Sequence, residues 1–261
     1  MKRERGDINN SLDKALMLLT YFTEENPVLG LSAISRLSKI PKATVYRLLN
    51  TFEKNGYLKK VDISGKQNQY ALGMKFLELG YMVADSIEIK QIALPFMEKL
   101  RDKLNEDVHL VERHDDHAIY IEKLGCSHPV RLFTKMGKCA SLNAGASPRA
   151  LLTFLEDDEI HGILHNIELV AITENTITDR ESLWKQINED RRKGYCISYG
   201  ETTLNTVEVA VPIFDHKGKP IASISTAGPE HRFCKSILSN IIQSTQEIGK
   251  EISKALGYID K

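Results

Sequence analysis

The sequence predicts an α+β chain of two domains, and three observations point there. Its 261 residues exceed one average domain and suffice for two cores. The first 80 residues read as three short helices and a hairpin, whereas the remainder alternates helices with antiparallel hairpins, the mark of an α+β sheet domain. Charge divides at the same place: of 35 basic and 35 acidic residues, the first 80 hold 13 and 8, leaving 22 basic against 27 acidic behind them. A net charge of zero is silent about nucleic acid, but this asymmetry puts a basic surface at the front.

Asn9, Asn10 and Ser11 offer caps for a first helix, in which Leu12, Leu16 and Leu19 form a stripe continued by Phe22 until Asn26-Pro27 stops it. A second helix follows Leu31 with Ser32 as N-cap, buries Ala33, Ile34 and Leu37, and ends in a turn at Lys39-Ile40. The third, over 41–55, begins with Pro41 at its first position, where a missing N–H costs nothing. Val45, Leu48, Leu49 and Phe52 fall on its inward face; Ala43, Arg47, Asn50 and Lys54 lie opposite, flanked by Thr44 and Tyr46. After Gly56, strands over 57–61 and 69–72 enclose a polar turn with Lys66, and Lys59, Lys60 and Lys66 suit phosphates. A basic-tipped hairpin after such a helix is a wing, so the front domain is predicted to be a winged helix-turn-helix on double-stranded DNA. Its candidate contacts are Ser32, Lys42, Ala43, Thr44, Tyr46, Arg47, Asn50 and Lys66. The assembled features favour this over a three-helix domain with a merely solvated charged face.

Residues 73–89 read as one apolar helix carrying Met74, Leu77, Tyr81 and Val83 or Ala84, either a linker that packs on a domain or a second subunit, or an ordinary core helix. The expected boundaries are a DNA-binding domain over 1–75, a linker helix over 76–92 and an effector-binding and oligomerisation domain over 93–261. In the last, a helix with Leu94, Met97, Leu100 and Leu104 precedes strands over 108–112, 118–123 and 130–134. Helices over 150–155 and 183–193, a hairpin over 207–214 and 221–226, and a final helix over 237–256 follow. With Ser147 capping a helix and Pro148 in its first turn, the backbone N–H groups of Gly145, Ala146 and Ser147 would form a cradle for a carboxylate or phosphate. Glu208 alternates with Val207, Val209 and Val211, so it faces the other side of the sheet, where it must be solvated or paired.

Cys126, Cys139, Cys196 and Cys234 form no close pair, which suits free thiols in a reducing cytosol. The polar N-terminus and the absence of an 18-residue apolar run speak against secretion or a membrane span, so the expected location is cytoplasmic, and no cofactor is implied. The rival reading is a metal-binding enzyme using His109, His114, His117 and His128 beside Asp115, Asp116 and Cys126, although the spacings follow no zinc motif.

The order of elements resembles the IclR family of transcriptional regulators from about Ser11 to Gly257. The resemblance is carried by 40–49 (IPKATVYRLL), Gly56-Tyr57-Leu58, Tyr70-Ala71-Leu72-Gly73, Val108-His109-Leu110, Gly194-Tyr195, Ala210-Val211-Pro212-Ile213 and Gly228-Pro229. It implies a winged helix-turn-helix joined by a helix to a GAF-like effector domain, in homodimers or homotetramers on palindromic promoter sites. The regulator, expected to be a repressor of a catabolic operon, would answer to a small organic, aromatic or sugar-derived acid. The matching pocket positions are Asn143, Ala144, Gly145, Ala146, Ser147, Ser198, Glu201, Glu208, Ser223 and Ser225. Two departures stand out: Pro148-Arg149 replaces the usual Gly-Lys, and Glu208 replaces a frequent Cys. A second acid near Glu201 would repel an anionic effector unless hydroxyls or a cation intervene.

Overall fold

The computed structural model describes residues 10–63, 66–85, 88–132 and 134–259; the side chains of 63, 66, 67, 81, 83–85 and 88 also lie outside the described set. The chain divides into two compact units, Met1–Ser86 and Ile87–Lys261.

The first unit runs α1 (Asn10–Leu19), β1 (Val28–Gly30), α2 (Leu31–Ser38), α3 (Lys42–Lys54), β2 (Leu58–Ile63), β3 (Lys66–Leu72) and α4 (Met74–Asp85). The strands form an antiparallel sheet in the order β1-β3-β2. Leu18, Ile34, Val45, Leu49, Leu58 and Tyr70 build the core, with Leu19 and Phe22 packed against it, whereas Leu12, Leu16 and Leu37 of the expected stripes are exposed. Two expected caps shift. Gly30, not Ser32, precedes α2, and Pro41 stands at the N-cap of α3 with extended ψ rather than at its first helical residue. The sharp turn between α2 and α3 is set by Lys39 in the left-handed region (φ 57°) and by Ser35 Oγ donating to Ile40 O at 2.7 Å. Gly73 lets the wing return to α4: a Cβ there would lie 2.1 Å from Gly56 O.

Of the expected helix over 73–89, Met74–Asp85 forms α4 and residues 88 and 89 open α5 (Glu88–Leu104) in the second unit, while 86 and 87 lie outside the described residues. Tyr81, Val83 and Ala84, read as part of its stripe, have side chains outside the described residues.

The second unit continues with β4 (Asp107–His114), β5 (His117–Leu124), β6 (Cys139–Ser141), α6 (Ala146–Thr153), α7 (Asp157–Asn166), α8 (Arg180–Lys193), β7 (Cys196–Tyr199), β8 (Thr206–Phe214), β9 (Pro220–Pro229) and α9 (Lys235–Ala255). Its six strands are antiparallel in the order β6-β5-β4-β9-β8-β7. One face buries Met97 and Leu100 of α5 and Ile248 and Ile252 of α9 against Val108, Leu110, Val211 and Ile224. The other buries Leu151 and Leu152 of α6 with Ile160, Leu164, Leu183 and Ile187 of α7 and α8 against Val111 and Ala118. Helices therefore cover both faces, which is why polar residues on either side of β8 and β9 are buried. The expected strand over 130–134 is not found among its described residues; Lys123 Nζ instead holds Leu132 O at 2.6 Å, and the edge strand is β6.

Candidate functional site

In the first unit, Val45 and Leu49 are fully buried and turn the rest of α3 outward. Lys42, Ala43, Tyr46, Arg47 and Lys54 are exposed, while Thr44 and Asn50 are half-buried, so a hydroxyl, a phenol and a guanidinium share a small-residue surface. Asn50 Oδ1 is buried without a hydrogen-bond partner among the described residues, so that end of the amide points away from the exposed face. Ser32, near the start of α2, is exposed. Along β2, Lys59 and Lys60 are exposed, and Lys60 Nζ lies 3.5 Å from Glu53 Oε2 in an ion pair weak enough for a phosphate to displace. Lys66 opens β3, but its side chain lies outside the described residues.

In the second unit the expected anion cradle is already full. Gly145 is the N-cap of α6, at φ +91°, and Ser147 is a helical residue rather than the cap. Gly145 N donates to Glu201 Oε2 (3.0 Å), and Ala146 N and Ser147 N donate to Glu208 Oε2 (2.9 and 3.3 Å). Ser147 Oγ and Ser225 Oγ donate to Glu208 Oε1 at 2.6 and 2.9 Å. The chain's own carboxylates thus take the positive end of α6 and its free amides, which compensates the burial of Glu208.

Arg149, only 1% exposed, anchors the same corner. Its Nη1 donates to both Glu201 oxygens (2.8 and 2.6 Å) and its Nε to Asp190 Oδ2 (2.9 Å). Burial is the largest single influence and works against its charge, but its neighbours together, Glu201 foremost with Asp190 and the hydrogen bond to Glu201, outweigh it and raise its pKa. Glu201 is therefore bound to Arg149, and Thr176 Oγ1 clamps its carbonyl at 2.6 Å.

Beyond Glu208 lies an enclosed cavity of about 40 Å³. His109 and Tyr120 border it from the sheet, Lys138 from the segment before β6, and Ser198, Thr202, Thr203 and Thr206 supply hydroxyls from β7, the following loop and β8. His109 is 1% exposed; burial above all lowers its pKa to about 4, with Glu208 pulling the other way, so the ring is neutral near pH 7. Its Nδ1 lies 3.4 Å from Ser225 Oγ, while Nε2 has no hydrogen-bond partner among the described residues.

Of the positions named from the sequence, Ser198 and Glu208 border the cavity. Ser147 and Ser225 hold Glu208 from behind, and Ser223 Oγ donates to Ser147 O at 2.9 Å. Ala144 and Ala146 are buried, and Asn143 is spent on Ser141 Oγ (2.5 Å) and Ile177 O (3.0 Å). Tyr120, Lys138, Thr202, Thr203 and Thr206 were not singled out by sequence; the one available signal was His109, a polar residue inside the apolar run Val108 to Val111. The histidines do not converge. His114 and His117 meet at a hairpin tip with ring centroids 5.5 Å apart, His128 Nε2 sits 3.3 Å from Asn105, and no metal-binding group of three occurs among the described residues.

Residues 11–62 match the IclR helix-turn-helix domain, and residues 81–254 match the bacterial transcriptional regulator IclR C-terminal domain. The chain belongs to the IclR family of transcriptional regulators. It is 38% identical over 250 residues to the HTH-type transcriptional regulator KipR of Bacillus subtilis, covering 96% of this chain and 98% of that protein. The crystal structure of the Thermotoga maritima IclR aligns with a TM-score of 0.73 at 27% identity, over 95% of this chain and 99% of that one. An IclR homologue from Microbacterium hydrocarbonoxydans, solved with 4-hydroxybenzoate, shares the fold (TM-score 0.76, 22% identity, 94% of this chain and 98% of that one). IclR members with these names are regulators, so the chain is a DNA-binding transcriptional regulator and not an enzyme.

Proposed function

We propose that this IclR-type chain represses a catabolic operon as a homodimer or a pair of dimers on a palindromic promoter site, released by a small hydroxylated organic acid. The single observation that carries DNA recognition is the exposed face of α3, where Lys42, Tyr46 and Arg47 stand clear of the core. Thr44 and Ser32 add hydroxyls beside it, and Lys59, Lys60 and Lys66 of the wing supply phosphate contacts. Self-association is supported by apolar side chains left exposed on α1 (Leu12, 58%; Leu16, 52%) and α4 (Met74, 69%; Met82, 64%).

The effector reading rests on the cavity beside Glu208. Among the described residues His109 Nε2 lacks a partner, Lys138 offers a cation, and Thr134, Ser198, Thr202, Thr203 and Thr206 border the space beside Tyr120. Glu208 already accepts from four donors and leaves an acid's charge to Lys138. At about 40 Å³ the cavity holds only water-sized groups, so a ligand enters by displacing the loop that begins at Gly200 (φ 66°) and ends at Asn205 (φ 60°). Binding then shifts the two half-site readers of a dimer relative to each other.

The test selects genomic fragments bound by the purified full-length chain and follows them by fluorescence anisotropy. Arg47→Ala and Thr44→Ala are expected to weaken the selected fragment by at least about tenfold. A thermal-shift screen of sugar acids should yield a ligand that releases the DNA and fails to stabilise Lys138→Gln. Unchanged DNA retention by Arg47→Ala would sink the recognition face, and full stabilisation of Lys138→Gln would sink the cavity assignment.

A further inference from the structure

A larger concavity, of about 940 Å³, lies between the last turn of α8, the C-terminal half of α9 and the end of β8, and shares no lining residue with the cavity beside Glu208. Its floor is apolar. Phe154 meets Phe214 edge-on at 6.1 Å, Phe214 stacks on Tyr258 at 5.1 Å, and Val211 and Pro212 lie alongside. Gly257, at φ +87°, turns the chain after α9 so that Tyr258 N reaches Ser253 O at 2.9 Å, in the segment that carries the Tyr258 ring onto Phe214.

The rim is cationic, and among the described residues no Asp or Glu lines the groove. Arg191 is engaged by Asp157 at 2.8 Å and Lys193 by Glu189 at 2.5 Å. Arg192, Lys250 and Lys254 have no ion pair among the described residues. Charge on α9 is segregated. Glu247 and Glu251 turn to Lys103 and Lys99 of α5 (3.3 and 2.8 Å), whereas Lys250 and Lys254, one helical turn apart, both border the groove. Like charges at that spacing destabilise a helix, and an anion above the groove reverses the sign of that interaction.

We propose that this groove is a second ligand site, for an organic anion with a flat apolar body. The rings lie on Phe214 and Tyr258, and the acid group sits between Lys250, Lys254 and Arg192. Volume and charge both select this class. The groove falls in the range of about 300–1,000 Å³ usual for small-molecule sites, which the cavity beside Glu208 does not reach, and three cations without an ion pair among the described residues favour an acid over its neutral analogue.

The experiment titrates 2-naphthoate into the full chain by calorimetry, beside the uncharged 2-naphthalenemethanol. One naphthoate per chain should bind, at least about tenfold more tightly than the alcohol, and Lys250→Gln/Lys254→Gln should weaken it by a similar factor. These lysines are solvent-exposed, so an unchanged melting curve verifies the fold of the double variant. His109→Gln should leave naphthoate binding intact. Absence of binding, equal affinity for the alcohol, or binding lost in His109→Gln but kept in Lys250→Gln/Lys254→Gln would each overturn the proposal. So would loss of self-association by the double variant in sedimentation without naphthoate binding to the parent, which would make the groove an interface between copies. None of these outcomes touches DNA recognition by α3, whose readout is separate.

Discussion

Replacing Arg149 by Met keeps an unbranched apolar stem while removing the guanidinium with its charge and its donors, and leaves three acceptors behind. Asp190 is 2% exposed and Glu201 6%, so both carboxylates lose their cation where little water reaches them, and the carbonyl of Ile197 loses Nη2 as well. Breaking a buried ion pair from one side costs about 3–5 kcal/mol, mostly the penalty of the stranded charge. In a unit of this size that lowers the melting temperature by roughly 6–20 °C. Trp184, the chain's single tryptophan, lies on α8 in this unit and stacks on His161 at 4.4 Å, so its fluorescence reports the unfolding of this unit rather than that of the DNA-binding unit. Denaturant titrations of Arg149→Met should show the loss, and adding Asp190→Asn and Glu201→Gln should restore at least about half of it, because neutral amides tolerate burial better than unpaired charges. A cost below about 1 kcal/mol for Arg149→Met would refute the view that this guanidinium neutralises the corner.

Three further outcomes are expected. Because burial lowers the His109 pKa from 6.5 to about 4, the unfolded chain binds a proton that the folded chain refuses between those values. Stability from this group is thus complete above pH 6.5 and falls by about 3 kcal/mol on acidification to pH 4; His109→Gln should flatten that part of the profile, and parallel profiles would exclude the assignment. Gly73→Ala forces a Cβ to 2.1 Å from Gly56 O, so the DNA-binding unit should lose about 2 kcal/mol or more in urea melts; a change under about 0.5 kcal/mol would show that the wing's return adjusts freely. Lys59→Ala and Lys60→Ala should each reduce the slope of log affinity against log salt by about 1 with little change in sequence preference, and an unaltered slope would remove the wing from the phosphate backbone.

Most of the DNA-binding unit was legible in order along the chain, because its cues are local. Apolar spacing alone separated Val45 and Leu49 from Tyr46 and Arg47, and a helix of this length turns one face inward wherever it packs. Local reading erred where two cues competed for one residue, as at Ser32, two positions past the cap, and Pro41, one position before its expected first helical place. It also erred at 130–134, where β-branched residues suggested a strand that the described residues do not form.

The pocket was a different matter. Sequence alone determined the family, the α+β class, the basic outward face of α3 and the loop at Gly145 to Ser147 as a helix start rich in free N–H groups. Only the tertiary structure decided what those N–H groups hold. Glu201 and Glu208 lie more than fifty residues away along the chain, and β8 brings Glu208 under α6 where no local rule could place it. The same packing buries Arg149 between Asp190 and Glu201 and sets the His109 ring against Ser225 of β9. A helix terminus announces itself locally because its unpaired amides are a property of the backbone, whereas the charge that satisfies them is a property of whatever the fold places opposite.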